Sequence, residues 1–396
     1  MVKEFPLENK TMPSPRISLI QITARADYPT AGREDLHLWE PTLQTLARQT
    51  FKDFEFIVVD VFYDERPDYF KDYNYGLKIK HVPAAPNPWH KWGLVQTCSQ
   101  FNKGLIHADG ELILTDADSS MLPPDLMENL WKHYQDGSFV SLGFGADLTF
   151  STEIYERQLN AQGTYEFKIG KWQGAQLEEA KKRSIIPTDW YSFLGYKGLV
   201  IMDHRYRQAF NNSNREILSI KPDWYYGIST MSMEAALKVN GYDTSFDGDS
   251  ALNDIDMGYR LVQAGYDKLA MFRDSYIIEA YATLGWHPKM RSPRPEIKCN
   301  FAILQFNKWT YRYRVNEPLA QRDIDYMINN ICANKCPIRN KCKTLPHRGP
   351  FFNKNEPDFY QYWLKHGAPY QIDLTIEREM RKNGEGYTEG TFINTS

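Results

Sequence analysis

The chain lacks any run of about 18 apolar residues, so nothing in it reads as a membrane-spanning helix. Its start carries no basic-then-apolar secretion signal, and residues 1–14 form a polar lead-in, so a soluble, cytoplasmic protein is expected. Net charge is nearly absent as well. The 47 basic and 50 acidic residues leave a formal −3, which removes any global pull toward nucleic acid or an anionic membrane and leaves only local patches. Cysteine is scarce, five in 396 residues, and without an export signal the grouped ones favour a metal over disulfides. Aromatic residues are plentiful, at 14% with 25 Tyr and 10 Trp, which suits stacking on sugars or bases as well as core packing. The length exceeds the range in which one core keeps growing, so one large domain or two smaller ones are expected.

Periodicity organises the first half. Ile17 to Thr23 (ISLIQIT) and Phe54 to Asp60 (FEFIVVD) are near-continuous β-favouring runs, as expected of strands buried on both faces of a mostly parallel sheet. Leu38, Leu43, Leu46 and Ala47 recur at helical spacing within Leu36 to Gln49. Leu77 to Val82 predicts a third strand, Leu94 to His107 a second helix, and Leu112 to Thr115 a fourth strand. Strand and helix alternate, which gives an α/β fold with right-handed crossovers and all strand ends on one rim. Ligands bind outside those carboxyl ends in open sheets of this kind. Thr23, Asp60 and the pair Asp116/Asp118 all fall there.

The run Leu112-Ile113-Leu114-Thr115 ends abruptly in Asp116-Ala117-Asp118. Paired carboxylates there suit a hard divalent ion such as Mg²⁺ or Mn²⁺, which keeps positions open for substrate phosphates. A turn in which Asp and Ser merely satisfy local backbone groups is the plainer reading of the same residues. Asp254 stands where a helix begins, since Ile255, Tyr259 and Val262 recur at helical spacing, and a carboxylate is stabilised at a helix N-terminus; simple capping is the alternative there.

Four ordered blocks carry a family resemblance. Thr42-Leu43-Gln44-Thr45-Leu46-Ala47-Arg48-Gln49-Thr50-Phe51 leading to Phe54–Asp60, then Asn102-Lys103-Gly104 with Asp116-Ala117-Asp118, then Asn240-Gly241-Tyr242-Asp243, and then Asn253-Asp254-Ile255-Asp256-Met257-Gly258-Tyr259-Arg260-Leu261, together resemble a family 2 glycosyltransferase of the GT-A fold. The resemblance implies a Rossmann-like, mostly parallel central sheet flanked by helices over residues 15–290, with a donor half at 15–120 and an acceptor half at 121–290, followed by a mainly helical extension at 291–396. It implies a metal-dependent, inverting transfer of a sugar from a UDP-like nucleotide sugar to the hydroxyl of a glycan or other acceptor. Thr23, Arg25, Asp60, Asn102, Lys103 and Asp116 would contact the donor, with Asp60 on the base or ribose. Asp116, Asp118 and His287 would hold Mn²⁺ or Mg²⁺; a buried structural role is the other reading of His287. Asp254 would be the catalytic base, and Trp224, Tyr225 and Asp256 would line the acceptor site, the aromatic pair being read alternatively as core.

The sequence departs from the family pattern where Asp60 is followed by Val61-Phe62-Tyr63-Asp64 and where the first strand ends Thr23-Ala24-Arg25. The segment from Phe144 to Asp223 interleaves aromatics with Arg and Lys, which suits acceptor selection and keeps transfer to a nucleic-acid base as a minor alternative. A non-catalytic glycan-binding module and a nucleotidyltransferase are further alternatives; the latter lacks its glycine-rich phosphate loop, of which Thr23 to Gly32 is only a loose version. Beyond residue 290, Cys332, Cys336 and Cys342 form a C-x3-C-x5-C cluster, with Cys299 upstream and His347 downstream. Four of these five would make a tetrahedral structural zinc site, with free thiols or a disulfide as the alternative. Cys98 falls on the second helix as a core residue. The oligomeric state is not encoded in any of these motifs.

Overall fold

Seven consecutive buried residues, Ile17–Thr23, form β1, the central strand of the principal sheet. The sheet also contains β2 (Phe54–Asp60), β3 (Ile79–Pro83), β4 (Leu112–Asp116) and β5 (Ser229–Ser232), in the order β5-β4-β1-β2-β3. β1 pairs in parallel with both β2 and β4, β3 continues the parallel set, and β5 closes the other edge antiparallel to β4. The chain is therefore α/β with a mostly parallel sheet, as the hydrophobic runs require. This computed structural model describes residues 15–23, 29–30, 33–37, 39–72, 74–85, 97–116, 120–147, 153–159, 165–171, 185–187, 189–195, 199–211, 213–247, 252–279, 303–304, 308, 326, 330 and 372–384.

Both faces of the sheet are covered. Ile20, Ile22, Ile57, Val59 and Ile113 point into one apolar cluster with α2 (Thr97–His107); Ile17, Leu19, Phe56, Val58, Leu112 and Leu114 point into another with α1 (Glu40–Ala47) and α3 (Leu126–Gln135). Side chains alternate along a strand, so Thr23, Asp60 and Asp116 share the face of the second cluster. α1 is shorter than the periodicity over Leu36 to Gln49 predicts. It starts at Glu40 with Pro41 in its first turn, the position proline favours, and Leu36 belongs instead to the strand Arg33–His37.

A second sheet follows directly on β4. Ser120–Met121 pairs with Tyr276–Glu279, which runs parallel to Gly143–Asp147; Leu199–Met202 and Ile185–Pro187 complete it. The connection after Asp116 therefore passes from one sheet to the other. α4 (His204–Phe210) leaves the second sheet capped by Asp203, and α5 (Asn253–Gln263) packs Met257 and Leu261 into the first cluster.

The acidic loop before α5 is tied to α2. Asp247 is fully buried and accepts from the Cys98 and Ser99 amides (2.7 and 3.1 Å) and from the Ser99 hydroxyl, satisfying donors that the N-terminus of α2 would leave orphaned. Cys98 is buried, as expected. At the other end of α2, Arg378 of α6 (Leu374–Lys382) donates to the Leu105 and Ala108 carbonyls, and Arg381 pairs with Asp109. Ile303, Leu304, Ile372 and Leu374 belong to the same cluster as the sheet residues, so the described part of the C-terminal region joins the main core. Among the described residues, no helix is long and apolar enough to cross a membrane.

Gly104 lets α2 lie against β1: a Cβ there would stand 2.2 Å from Cγ2 of Ile20. A helix-interior Gly→Ala change ordinarily gains up to about 1 kcal/mol in propensity. Overpacking costs about 1–3 kcal/mol and should reverse the sign here. Gly104→Ala is expected to lower the urea midpoint of unfolding; a raised midpoint would contradict this close approach.

Candidate active site

The strand register assembles the rim. Thr23 is opposite Asp60, and Asp116 is opposite Gln21, one turn of the pleat below Thr23. Ser229 of β5 is opposite Thr115, so the segment just before β5, Trp224 to Gly227, arrives at the same rim as Asp116. Asp254 meets it there: its Oδ2 accepts from the Gly227 amide at 2.6 Å, and its Oδ1 accepts from the Ile255 amide at 2.8 Å. Asp254 does not cap α5. Leu252 holds the cap position with a left-handed φ of 72°, an unusual conformation for a branched side chain, and frees the Asp254 carboxylate to turn toward Gly227. Burial pushes the Asp254 pKa above the ordinary carboxylate value, against the opposing effect of the Gly227 and Ile255 amides and of the Arg205 charge.

Asp60 has the opposite environment. Its Oδ2 accepts from Arg66 Nε at 2.6 Å and lies 3.1 Å from His81 Nε2; its Oδ1 accepts from Arg66 Nη2 and the Phe62 amide, both at 2.9 Å. Burial alone would raise its pKa, but His81, Arg66 and the Phe62 amide together hold it below the ordinary value. The carboxylate expected to meet the donor is thus fully engaged by protein, and Arg66 is the group it presents at the rim.

The Trp224–Gly227 segment is held by Arg205, a side chain with no solvent exposure. Its Nη1 donates to the carbonyls of Trp224 (2.6 Å) and Tyr226 (2.9 Å) and to Ser141 Oγ (2.8 Å), its Nη2 donates to the Leu142 carbonyl (3.2 Å), and the guanidinium lies 3.6 Å over the Tyr226 ring.

Several expectations are corrected by this geometry. Asn102 is fully buried, its carboxamide accepting from the Tyr242 amide (2.7 Å) and donating to the Tyr242 carbonyl (2.8 Å), so it ties α2 to the Asn240–Asp243 turn. Gly241, at φ 67°, allows that approach, because a Cβ there would stand 2.3 Å from Asn102 Oδ1. Lys103 is buried toward α6; burial pulls its pKa down to about 8, partly offset by Glu377. Tyr225 has no exposure and donates to the Thr230 carbonyl at 2.7 Å, which makes it core, and Asp256 is buried in an ion pair with Arg260 at 2.7 Å. Trp224 is partly exposed and contributes its carbonyl to Arg205. Arg25, Asp118, His287, Cys299, Cys332, Cys336, Cys342 and His347 lie outside the described residues.

Arg66, His81 and Arg205 escaped the motif reading. Only Arg66 had a local signal, six residues beyond Asp60; His81 sits inside a strand and Arg205 just behind a helix cap, positions that ordinarily mean packing.

No protein-family model matches the chain, and no curated protein matches it. Solved structures that it resembles include S. aureus TarS, at 11% identity and a TM-score of 0.43 over 93% of this chain and 54% of that one, so the chain spans about half the length of that protein. S. aureus TarS 1-349 matches at 12% identity and a TM-score of 0.42, over 96% of this chain and 98% of that one. The same protein in complex with UDP matches at 12% identity and 0.43, with the same coverage.

Because the folded pKa of Asp60 is lowered, its contribution to stability is complete above the unfolded value of 3.8 and is lost as pH falls through the lower folded value. Removing one partner of such a buried pair costs about 3 kcal/mol. Asp60→Asn should therefore be less stable than wild type in urea at pH 7, with the gap closing only in strongly acidic solution. An equal gap at every pH would contradict a charged, paired Asp60.

Proposed function

We propose that the chain is a glycosyltransferase of GT-A type that moves a sugar, with inversion, from a UDP-like nucleotide-sugar donor to an acceptor hydroxyl. The observation that carries this reading is the placement of Asp254. A carboxylate with a raised pKa stands beside Gly227 at the carboxyl rim of a parallel sheet, where Thr23, Asp60 and Asp116 also end. Ligands bind at such rims, and a base whose pKa approaches the working pH is suited to proton transfer.

In this reading Asp254 takes the proton of the acceptor hydroxyl as that oxygen bonds to the anomeric carbon. The bond from the anomeric carbon to the diphosphate breaks, and the nucleoside diphosphate leaves with the electron pair. In this reading base and donor anchor act from opposite sides of the rim, a placement supported by the packing of Met257 and Leu261 of α5 in the first apolar cluster and by the strand face that Asp116 shares with Leu112 and Leu114 of the second. A bound Mg²⁺ or Mn²⁺ would neutralise charge on the departing diphosphate.

Asp116, a hard oxygen donor at the end of β4, fits such an ion. Asp118 and His287, which lie outside the described residues, are the proposed partners. Arg66, held by Asp60, is proposed to meet the anionic or base portion of the donor in place of Asp60 itself.

Three measurements test the reading. Nucleotide sugars should raise the melting temperature in the presence of Mn²⁺, and Asp118→Ala should abolish that rise, since a ligand bound only by the folded state stabilises it. Asp254→Asn should lower kcat by roughly 10²- to 10⁴-fold with donor binding retained. Wild-type turnover should increase with pH as Asp254 loses its proton, through a midpoint above the ordinary 3.8. Full turnover by a folded Asp254→Asn protein would remove Asp254 as the base.

A further inference from the structure

Arg205 and Asp254 meet the same peptide unit from opposite sides. The carbonyl of Tyr226 accepts from Arg205 Nη1 at 2.9 Å, and the amide of that unit, on Gly227, donates to Asp254 Oδ2 at 2.6 Å. A buried guanidinium is costly to desolvate, and its partner carboxylate, Asp203, lies only at 3.4 Å from Nε. Asp203 has its own work: it accepts from the Arg205, Tyr206 and Phe144 amides at 2.7, 3.2 and 2.9 Å. Its Nη1 instead donates to two carbonyls, those of Trp224 and Tyr226, in the irregular segment that ends at Gly227, whose φ of 75° lies in the left-handed region that favours glycine.

We propose that Arg205 is a positioning residue for the transfer reaction, holding Asp254 in place through the Tyr226–Gly227 peptide. The inference rests on Asp254 being the base. A charge-assisted hydrogen bond to a carbonyl polarises its amide and makes the N–H a stronger donor. That N–H stabilises the charged form of Asp254 in surroundings where burial opposes it, and the positive charge of Arg205 acts in the same direction. Clamping the Trp224 and Tyr226 carbonyls together also fixes where the Gly227 amide points.

The other groups facing Asp254 do not substitute for this charge. Tyr225 and Tyr226 come from the same segment, Tyr242 comes from the turn after Asn240, and burial pushes all three phenols up, so they stay neutral. His204 reaches the Tyr226 hydroxyl at 3.3 Å, and on α5 itself Asp256 is occupied by Arg260.

The experiment compares pH profiles of kcat and kcat/KM for wild type, Arg205→Met and Arg205→Lys, with Asp254→Asn as the control that identifies the limb belonging to Asp254. Arg205→Met is expected to move the acid-side midpoint up by about one pH unit and to lower kcat roughly tenfold, with donor KM changed less than about twofold. Arg205→Lys keeps the charge but, with one nitrogen in place of the planar fork, cannot also make the Nη2 contact to Leu142 and the Nε contact to Asp203 that fix the Arg205 head, and its midpoint should fall between the two. A purely structural role would reduce the amount of active protein without moving the midpoint, so a folded Met variant with the wild-type midpoint overturns the proposal. Should the Met variant not fold, the Lys variant decides: a shifted midpoint supports the role and an unshifted one ends it. Full turnover by Asp254→Asn would sink the assignment of the base itself, an outcome distinct from either Arg205 result.

Discussion

Everything at the rim depends on β1 being enclosed. Its two neighbours in register and the apolar clusters on its two faces leave no room for polar side chains along the middle of β1, β2 and β4 except those that hydrogen-bond locally, such as Ser18 with Glu55 at 2.6 Å. Acidic groups with chemical work therefore collect where the strands stop. The alternation of side chains then decides which face each one takes, and Asp60 and Asp116 follow Phe56 and Leu114 to the same side.

Once there, each carboxylate must answer the cost of leaving water, and the answers differ. Asp60 is matched by an arginine fork and an imidazole and stays charged. Asp256 is matched by Arg260 four residues along its helix. Asp254 is given two amides and, among the described residues, no directly bonded cation, and its pKa is raised. Environments that push the pKa values of like groups apart are how one site can divide its roles, and here they move Asp60 down and Asp254 up.

Much of the scaffold was legible because its strands are buried on both faces and write unbroken apolar runs: Ile17–Thr23 and Phe54–Asp60 are found with the predicted limits. The start of α1 was misread because Leu36 and Leu38 continue a helical period that Pro41 and a short preceding strand interrupt. The positions of Asp116 at a strand end and of Asp254 in the first turn of a helix were legible because one ends an apolar run and the other opens a periodic stretch. The internal contacts of Asn102, Tyr225 and Asp256 were not legible for one shared reason. A motif records which residues must be present, and a buried amide joining two turns is required as strictly as a ligand contact. Arg205 was invisible because its partners are main-chain carbonyls, which no side-chain pattern reports.

The docking of α6 on α2 has a consequence for how the molecule is made. Arg378 closes off carbonyls of Leu105 and Ala108 that were synthesised some 270 residues earlier. Contacts of such separation carry a heavy loop-closure cost and form late. During translation the nascent N-terminal half must therefore wait with an uncovered helix flank, a surface open to chaperones until the ribosome has released its last partner.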